Sequence, residues 1–219
     1  CKPAMGTVEA IFNAKAGWPL DENGLPRYVV RMEGKRAKGD FSYHILLPTD
    51  SPDEEAINTL AQKELALQIL RDLGPDTAWL HMLLLAYAVE TRRGERFVTP
   101  REVIYRILGL DKRSDLDRGE KDARCFDEID HLRRLGINIM RLELNGKELT
   151  YGRRMGPIWE LAWEEYGQGY LEPKQAGRWT SLWDEWHLIG RPGVVWADVF
   201  LYGQMRQFGW MAREMLENI

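Results

Sequence analysis

The chain has 219 residues, 44% of them hydrophobic and 29% charged, with a formal net charge of −4. That is the composition of a globular protein with a true apolar core, long enough for one large domain or two small ones. It excludes a disordered tail and a helical membrane span: the longest apolar run, "WLHMLLLAYAV", falls short of the roughly 18 residues a span needs and contains His81.

No charged leader with an apolar run and cleavage site opens the sequence, so a reducing, cytoplasmic location is the default expectation. The first residue is Cys1 rather than Met, which fits a cut or processed end. Two cysteines are too few for a disulfide framework or a zinc cluster, and Cys125 is expected to fill a helix face as a small apolar residue. Charge is unevenly spread. Residues 91–155 hold 16 Lys and Arg against 12 Asp and Glu, whereas the remainder holds 14 against 22, so basic character gathers in the middle third.

Residues 7–47 read as strands: "TVEAIFNA", "PRYVVRM" and "FSYHILL" are short, rich in β-branched and aromatic residues, and separated by Gly, Pro and Asn clusters. "LDENGLP" carries an Asn23-Gly24 turn signal, and "EGKRAKGD" reads as a basic loop. At Ser51 the pattern changes. "SPDE" offers an N-cap, a first-position proline and a capping carboxylate, and Leu60, Leu67 and Leu70 follow at helical spacing up to Gly74-Pro75. A second helix over about 76–90 is apolar almost all round, as a central buried helix is.

A very short strand at Phe97-Val98 precedes another capped start, with Thr99 as N-cap, Pro100 at the first position and Glu102 closing the box. Val103, Ile104, Ile107 and Leu108 form the stripe of this short helix, and Gly109 supplies a left-handed exit. After the turn "LDKRSD" a longer helix starts near Ser114 or Asp117. Its buried side is marked by Phe126, Ile129, Leu132 and Leu135, and Gly136 ends it. "INIMRLEL" and "ELTY" then alternate around Asn145-Gly146, the strongest hairpin signal in the chain.

Helix, short strand, short helix, longer helix, hairpin: that order defines a winged helix. Its recognition helix would enter the DNA major groove, which matches the width of an α-helix. Lys112, Arg113, Arg118, Lys121 and Arg124 are placed to reach phosphates or guanine edges, and Lys147, Arg153 and Arg154 on the wing to reach the adjacent backbone. Asp111, Asp115, Asp117, Glu120 and Asp122 are interleaved with them and can weaken the local field.

Seven of the nine tryptophans lie between Trp159 and Trp210. In "PIWELAWEEY" Trp159, Leu161 and Trp163 would share one strand face, more in keeping with a core or interface than with a base-stacking platform. "WADVFLYGQMRQFGWMAREMLENI" reads as helix broken at Gly203 and Gly209. Phosphate loops, G-x-G-x-x-G, H-E-x-x-H and G-x-S-x-G are missing, and the four histidines have no metal spacing, so neither an enzyme nor a bound cofactor or metal is expected. Asp184, Glu185 and His187 in "WDEWH" are close in sequence, yet neighbours on a strand or helix point different ways.

The stretches "AWLHMLLLAYA", "FVTPREVIYRILGL" and "FDEIDHLRRLGINI", with the later "VVWADVFLYGQMRQFGWMAREML", resemble the first winged-helix domain of plasmid replication initiators over about half the chain. The resemblance implies binding to repeated origin sequences and contacts with replication proteins. The strands at 7–47 have no counterpart in it, and the His-x-His pair of rolling-circle initiators is missing.

The expectation is therefore an α+β protein with an N-terminal β region at 1–50, a winged helix at 51–165, and a Trp-rich extension at 166–219 packed on it. Its partner would be double-stranded DNA, with replication proteins or a second copy of itself as further partners. A transcriptional regulator is the neighbouring reading, and a non-enzymatic protein-interaction scaffold using the Trp-rich surface is the alternative from a different class.

Overall fold

A computed structural model of the protein describes residues 2–33, 37–47, 60–90, 97–144, 146–148, 155–166 and 185–192. Within them the chain is α+β, with antiparallel sheets and five helices.

The first element corrects a sequence expectation. "TVEAIFNA" belongs to helix α1 (Lys2–Ala14), not to a strand. Thr7, Ala10, Ile11 and Ala14 are the buried positions, a helical i, i+3, i+4, i+7 set that outweighs the β-branched composition. Gly6 lets this helix lie close to the sheet: a Cβ there would meet Tyr43 Oη at 3.1 Å and Val30 Cγ1 at 3.2 Å. Asp21 Oδ1 accepts from the backbone N–H groups of Asn23 and Leu25, and Gly24 takes φ +76°, so the Asn23-Gly24 signal makes a turn between α1 and the first strand.

Strands β1 (Arg27–Glu33) and β2 (Ala37–Ile45) pair antiparallel, as expected, but they do not form a sheet of their own. β2 also pairs along β4 (Leu135–Leu144), with a bulge at Asp40/Phe41. β5 (Lys147–Glu148) and β6 (Met155–Pro157) complete a five-stranded sheet on β4. The strands expected in a 1–50 region and the expected wing are thus one sheet. Ile11 and Tyr43 share one apolar cluster with Leu84, Ile129, Trp159 and Leu188.

Helix α2 (Leu60–Asp72) is described from Leu60 onward, and the Ser51–Glu54 capping box lies outside the described residues. Leu60 is exposed rather than part of the buried stripe, whereas Leu70 is buried. Helix α3 (Pro75–Glu90) is the central helix expected: Leu80 to Ala86 are all buried. Its uniformly apolar surface needs neighbours on every side, and α1, α4 and α5 all pack on it.

Strand β3 (Phe97–Pro100) runs directly into helix α4 (Arg101–Ile107). Here Thr99 does not cap. It is paired with Leu188 in β3, and Pro100 is the N-cap residue without a side-chain cap bond. Gly109, at φ +66°, gives the left-handed exit the sequence foretold. Helix α5 (Arg118–Arg133) begins with a full capping box: Asp117 Oδ1 accepts from the Glu120 N–H, and Glu120 Oε2 accepts from the Asp117 N–H, both at 2.9 Å. It ends two residues earlier than expected. Leu135 and Gly136 already belong to β4, where Gly136 pairs with His44 and Pro157.

After β6 the chain changes sheets. Ile158 donates to the Leu135 carbonyl, and the next strand, β7 (Trp159–Tyr166), pairs with β8 (Glu185–Pro192). β8 pairs on its other side with β3, giving a second sheet in the order β3-β8-β7. Trp159 and Leu161 are buried and Trp163 packs against the core, while Ala162 and Glu164 are exposed, so the shared face read from the sequence is the core face. The stretch 193–219, including the expected late helix, lies outside the described residues.

Candidate nucleic-acid interface

The α4–turn–α5 unit holds most of the expected DNA-binding residues. Cys125, Ile129 and Leu132 bury one side of α5, and the opposite side therefore carries Glu120, Ala123, Arg124 and Asp127 into solvent. Lys112, Arg113 and Arg118 are exposed in the turn and at the helix start, Arg124 is exposed one turn further on, and Lys121 is half-buried on the flank. Lys147 is exposed beside Gly146, whose φ of +80° turns the hairpin. Arg153 and Arg154 lie outside the described residues.

The acidic residues among them have distinct tasks. Asp115 binds the Arg113 guanidinium in a two-pronged pair, with N–O distances of 2.7 and 2.5 Å. That bond holds the Asp115 carboxyl down at about 2 and pushes the Arg113 guanidinium up, so both stay charged. Asp117 and Glu120 serve the capping box. Asp122 is structural: its Oδ1 accepts from Tyr105 Oη and Trp186 Nε1, each at 2.7 Å, and so ties α4, α5 and β8 together. Phe126 lies between Trp163 and Trp186, with ring centroids 4.7 and 4.9 Å away. These aromatic anchors were not legible, because Asp122 looks in the sequence like one more member of a mixed-charge run.

From Asp111 to Arg134 the chain holds seven Lys and Arg against eight Asp and Glu. The unit is therefore not a basic patch in sum, and any anion it attracts must meet particular side chains. A cavity of about 340 Å³ opens between the start of α3, the turn after α4 and the flank of α5, lined by Asp76, Arg113, Arg124, Asp127, Glu128 and His131. Thr77 Oγ1 donates to Glu128 Oε2 at 2.7 Å, which clasps α3 to α5. The Glu128 carboxylate, 3.8 Å from His131 Nδ1, raises the His131 pKa, and burial followed by the Glu128 charge raises that of Asp76. Acid therefore makes this cavity less negative.

The remaining histidines and Cys125 sit elsewhere. His81 is fully buried in α3, its Nδ1 accepts from Trp159 Nε1 at 2.8 Å, and burial lowers its pKa to about 3. Burial pushes the Cys125 thiol up to about 12, so it is an inert packing group. Among the described residues no group of three or more His, Cys, Asp or Glu side chains is arranged to hold a metal, and no helix is long and apolar enough to cross a membrane.

Compared with family models, curated proteins and solved structures, the chain matches none.

Proposed function

We propose that the protein binds double-stranded DNA in a sequence-specific manner, as a replication initiator or the N-terminal part of one, without catalysing a reaction. One observation supports this above the others. A short helix, a charged turn, a longer helix and an antiparallel hairpin follow one another, with Lys112, Arg113, Arg118 and Arg124 exposed at the turn and helix and Lys147 at the hairpin. In a winged-helix reading, α5 is the recognition helix, α4 its support and the β4–β5 hairpin the wing. The reading rests on those elements alone, since β3 pairs with β8 rather than with the hairpin strands.

Fluorescence anisotropy with mixed double-stranded fragments, at low and then physiological salt, tests it. If Lys112, Arg113, Arg118, Lys121 and Arg124 each meet one phosphate, log K falls with log salt at a slope of about −4.5, roughly a 500-fold loss between 50 and 200 mM. Arg124→Glu then weakens binding across sequences and shallows that slope by about 1. Retained affinity in folded Arg124→Glu and Lys121→Glu proteins would remove α5 from the interface.

A protein-interaction scaffold is the second reading, and the outward Glu120 and Asp127 of α5 favour it. The described tryptophans do not supply its surface: Trp18, Trp159 and Trp186 are buried, and Trp79 and Trp163 pack on the core. An absence of DNA binding at low salt would favour this reading.

A further inference from the structure

Among the described residues three arginines are not exposed, and two of these have a carboxylate beside them. Arg101 meets Glu102 at 3.1 Å, and Arg134 meets Asp130 at 3.4 Å. Arg27 has no carboxylate partner among the described residues. Its Nη2 donates to Met140 Sδ at 3.0 Å, and its Nε is buried without an acceptor. A thioether is a weak acceptor, and a half-buried guanidinium is costly to leave without a counter-charge. Its Nη1 is open to solvent and keeps its donors for a ligand's oxygens.

The strand register sets what surrounds Arg27. Tyr28 and Val30 pack against the core, so Arg27, Val29 and Arg31 point to the opposite, outer face of the first sheet. Arg27 is paired through His44 to Gly136, Val29 through Ser42 to Asn138, and Arg31 through Asp40 to Arg141. These three rows hold three arginines against one aspartate. The next row, Glu33, Lys38, Glu143 and Glu148, holds one lysine against three glutamates. Asp40 lies 3.8 Å from Arg31, and Arg141 donates to Glu143 at 2.8 Å, so neither acid serves Arg27. An anion approaching this face is drawn to the Arg27 end and repelled from the other. His44 adds no charge at pH 7. Its Nε2 shares a hydrogen bond with Ser42 Oγ at 2.8 Å, and burial, followed by the Arg27 charge, lowers its pKa. Asp21, in the turn before β1, pulls that pKa the other way.

We propose that the outer face of the first sheet binds a phosphate group at Arg27. A guanidinium without a carboxylate, at the positive end of a polarised sheet face, suits an oxyanion better than any neutral ligand. A nucleic-acid backbone and a free phosphate compound offer the same chemistry there. The proposal stands on this sheet and does not require α5 to meet DNA.

NMR of the His44 imidazole in the full chain, followed over about pH 4–8 at constant ionic strength, tests it with inorganic phosphate as the probe. Arg27 lowers the His44 pKa, so a phosphate on Arg27 should raise it by about 0.5, half-complete at roughly millimolar phosphate. Chloride and acetate should leave it in place. Arg27→Gln should raise the His44 pKa on its own and abolish the response to phosphate. Arg27→Lys, which keeps the charge without the planar fork, should hold the pKa low and bind phosphate more weakly. Circular dichroism checks that both variants are folded. A His44 pKa that phosphate does not move, an equal response to acetate, or a full response in Arg27→Gln overturns the proposal. Anisotropy with duplex fragments then separates the two sources. A salt slope made shallower by about 1 in Arg27→Gln assigns the phosphate to nucleic acid. An unchanged slope, or no duplex binding by the wild type, assigns the site to a free phosphate compound.

Discussion

Helices α3 and α5 have the same length, 16 residues, pack on one another, and differ in almost everything else. α3 spends its sequence on Leu80 to Ala86 and keeps His81 among them, neutral and bonded to Trp159. α5 buries Cys125, Ile129 and Leu132 and packs Phe126 between Trp163 and Trp186, while its outward side carries charge of both signs in Glu120, Arg124 and Asp127. A helix enclosed on all sides carries stability, and a helix enclosed on one side has a surface left to recognise something. The division predicts where substitutions will be felt as unfolding and where only as lost binding.

The largest effect should come from α3. Leu84→Ala removes a fully buried side chain at the centre of the core and should cost about 2–5 kcal/mol, lowering Tm by roughly 5–15 °C in calorimetry. A shift under 2 °C would show that α3 is not the core of the fold.

Acid should act next, through His81. Its folded pKa, about 3, lies below the 6.5 of the unfolded chain. Below pH 6.5 the unfolded state therefore takes up a proton that the fold excludes, so stability is complete above that pH and falls as pH drops toward 3. At pH 5 the loss is about 2 kcal/mol, read by urea titration. His44, lowered by burial and by Arg27, adds to the slope, while His131, raised by Glu128, opposes it. His81→Gln should flatten the acid limb, and an unchanged limb would place its cause elsewhere.

At the start of α5 the effect shrinks. Asp117→Ala removes the Oδ1 acceptor of the Glu120 N–H, leaving only the bond from its own backbone N–H to Glu120, and should cost about 1 kcal/mol in the same titration. Smallest of all, Lys112→Glu on the exposed turn should change stability by less than about 0.5 kcal/mol while weakening any DNA complex. A large loss of stability there would erase the contrast between the two helices.

What could be read from the sequence follows the same line between local and distant causes. Gly109, Gly146 and the Asp117–Glu120 box act within a few residues, and each marks its boundary in the chain. Thr99 and Gly136 carried equally good local signals, for a cap and for a helix end. Each is instead claimed by a strand partner far away: Leu188 for Thr99, and His44 and Pro157 for Gly136. In α1 the β-branched Thr7, Val8 and Ile11 suggested a strand, although their spacing with Ala10 and Ala14 suits a helix face. For the candidate site, the exposure of Lys112, Arg113, Arg118 and Arg124 agrees with their place in a turn and first helical turns. The Arg113–Asp115 pair and the Asp122 hub depend on side-chain geometry that no spacing reveals.

The pairing of β3 with β8 has a consequence for how the protein is made. Residues 97–100, which lead into α4, find their strand partners at 187–190. A ribosome adding roughly 5–20 residues per second needs about 5–18 s to cover that interval. During that time α4 can form next to α3 and α5, but the strand that anchors its beginning has nothing to pair with. The α4–α5 unit thus gains its full support only once residues 187–190 have been synthesised, and until then β3 is an open edge on a nascent protein.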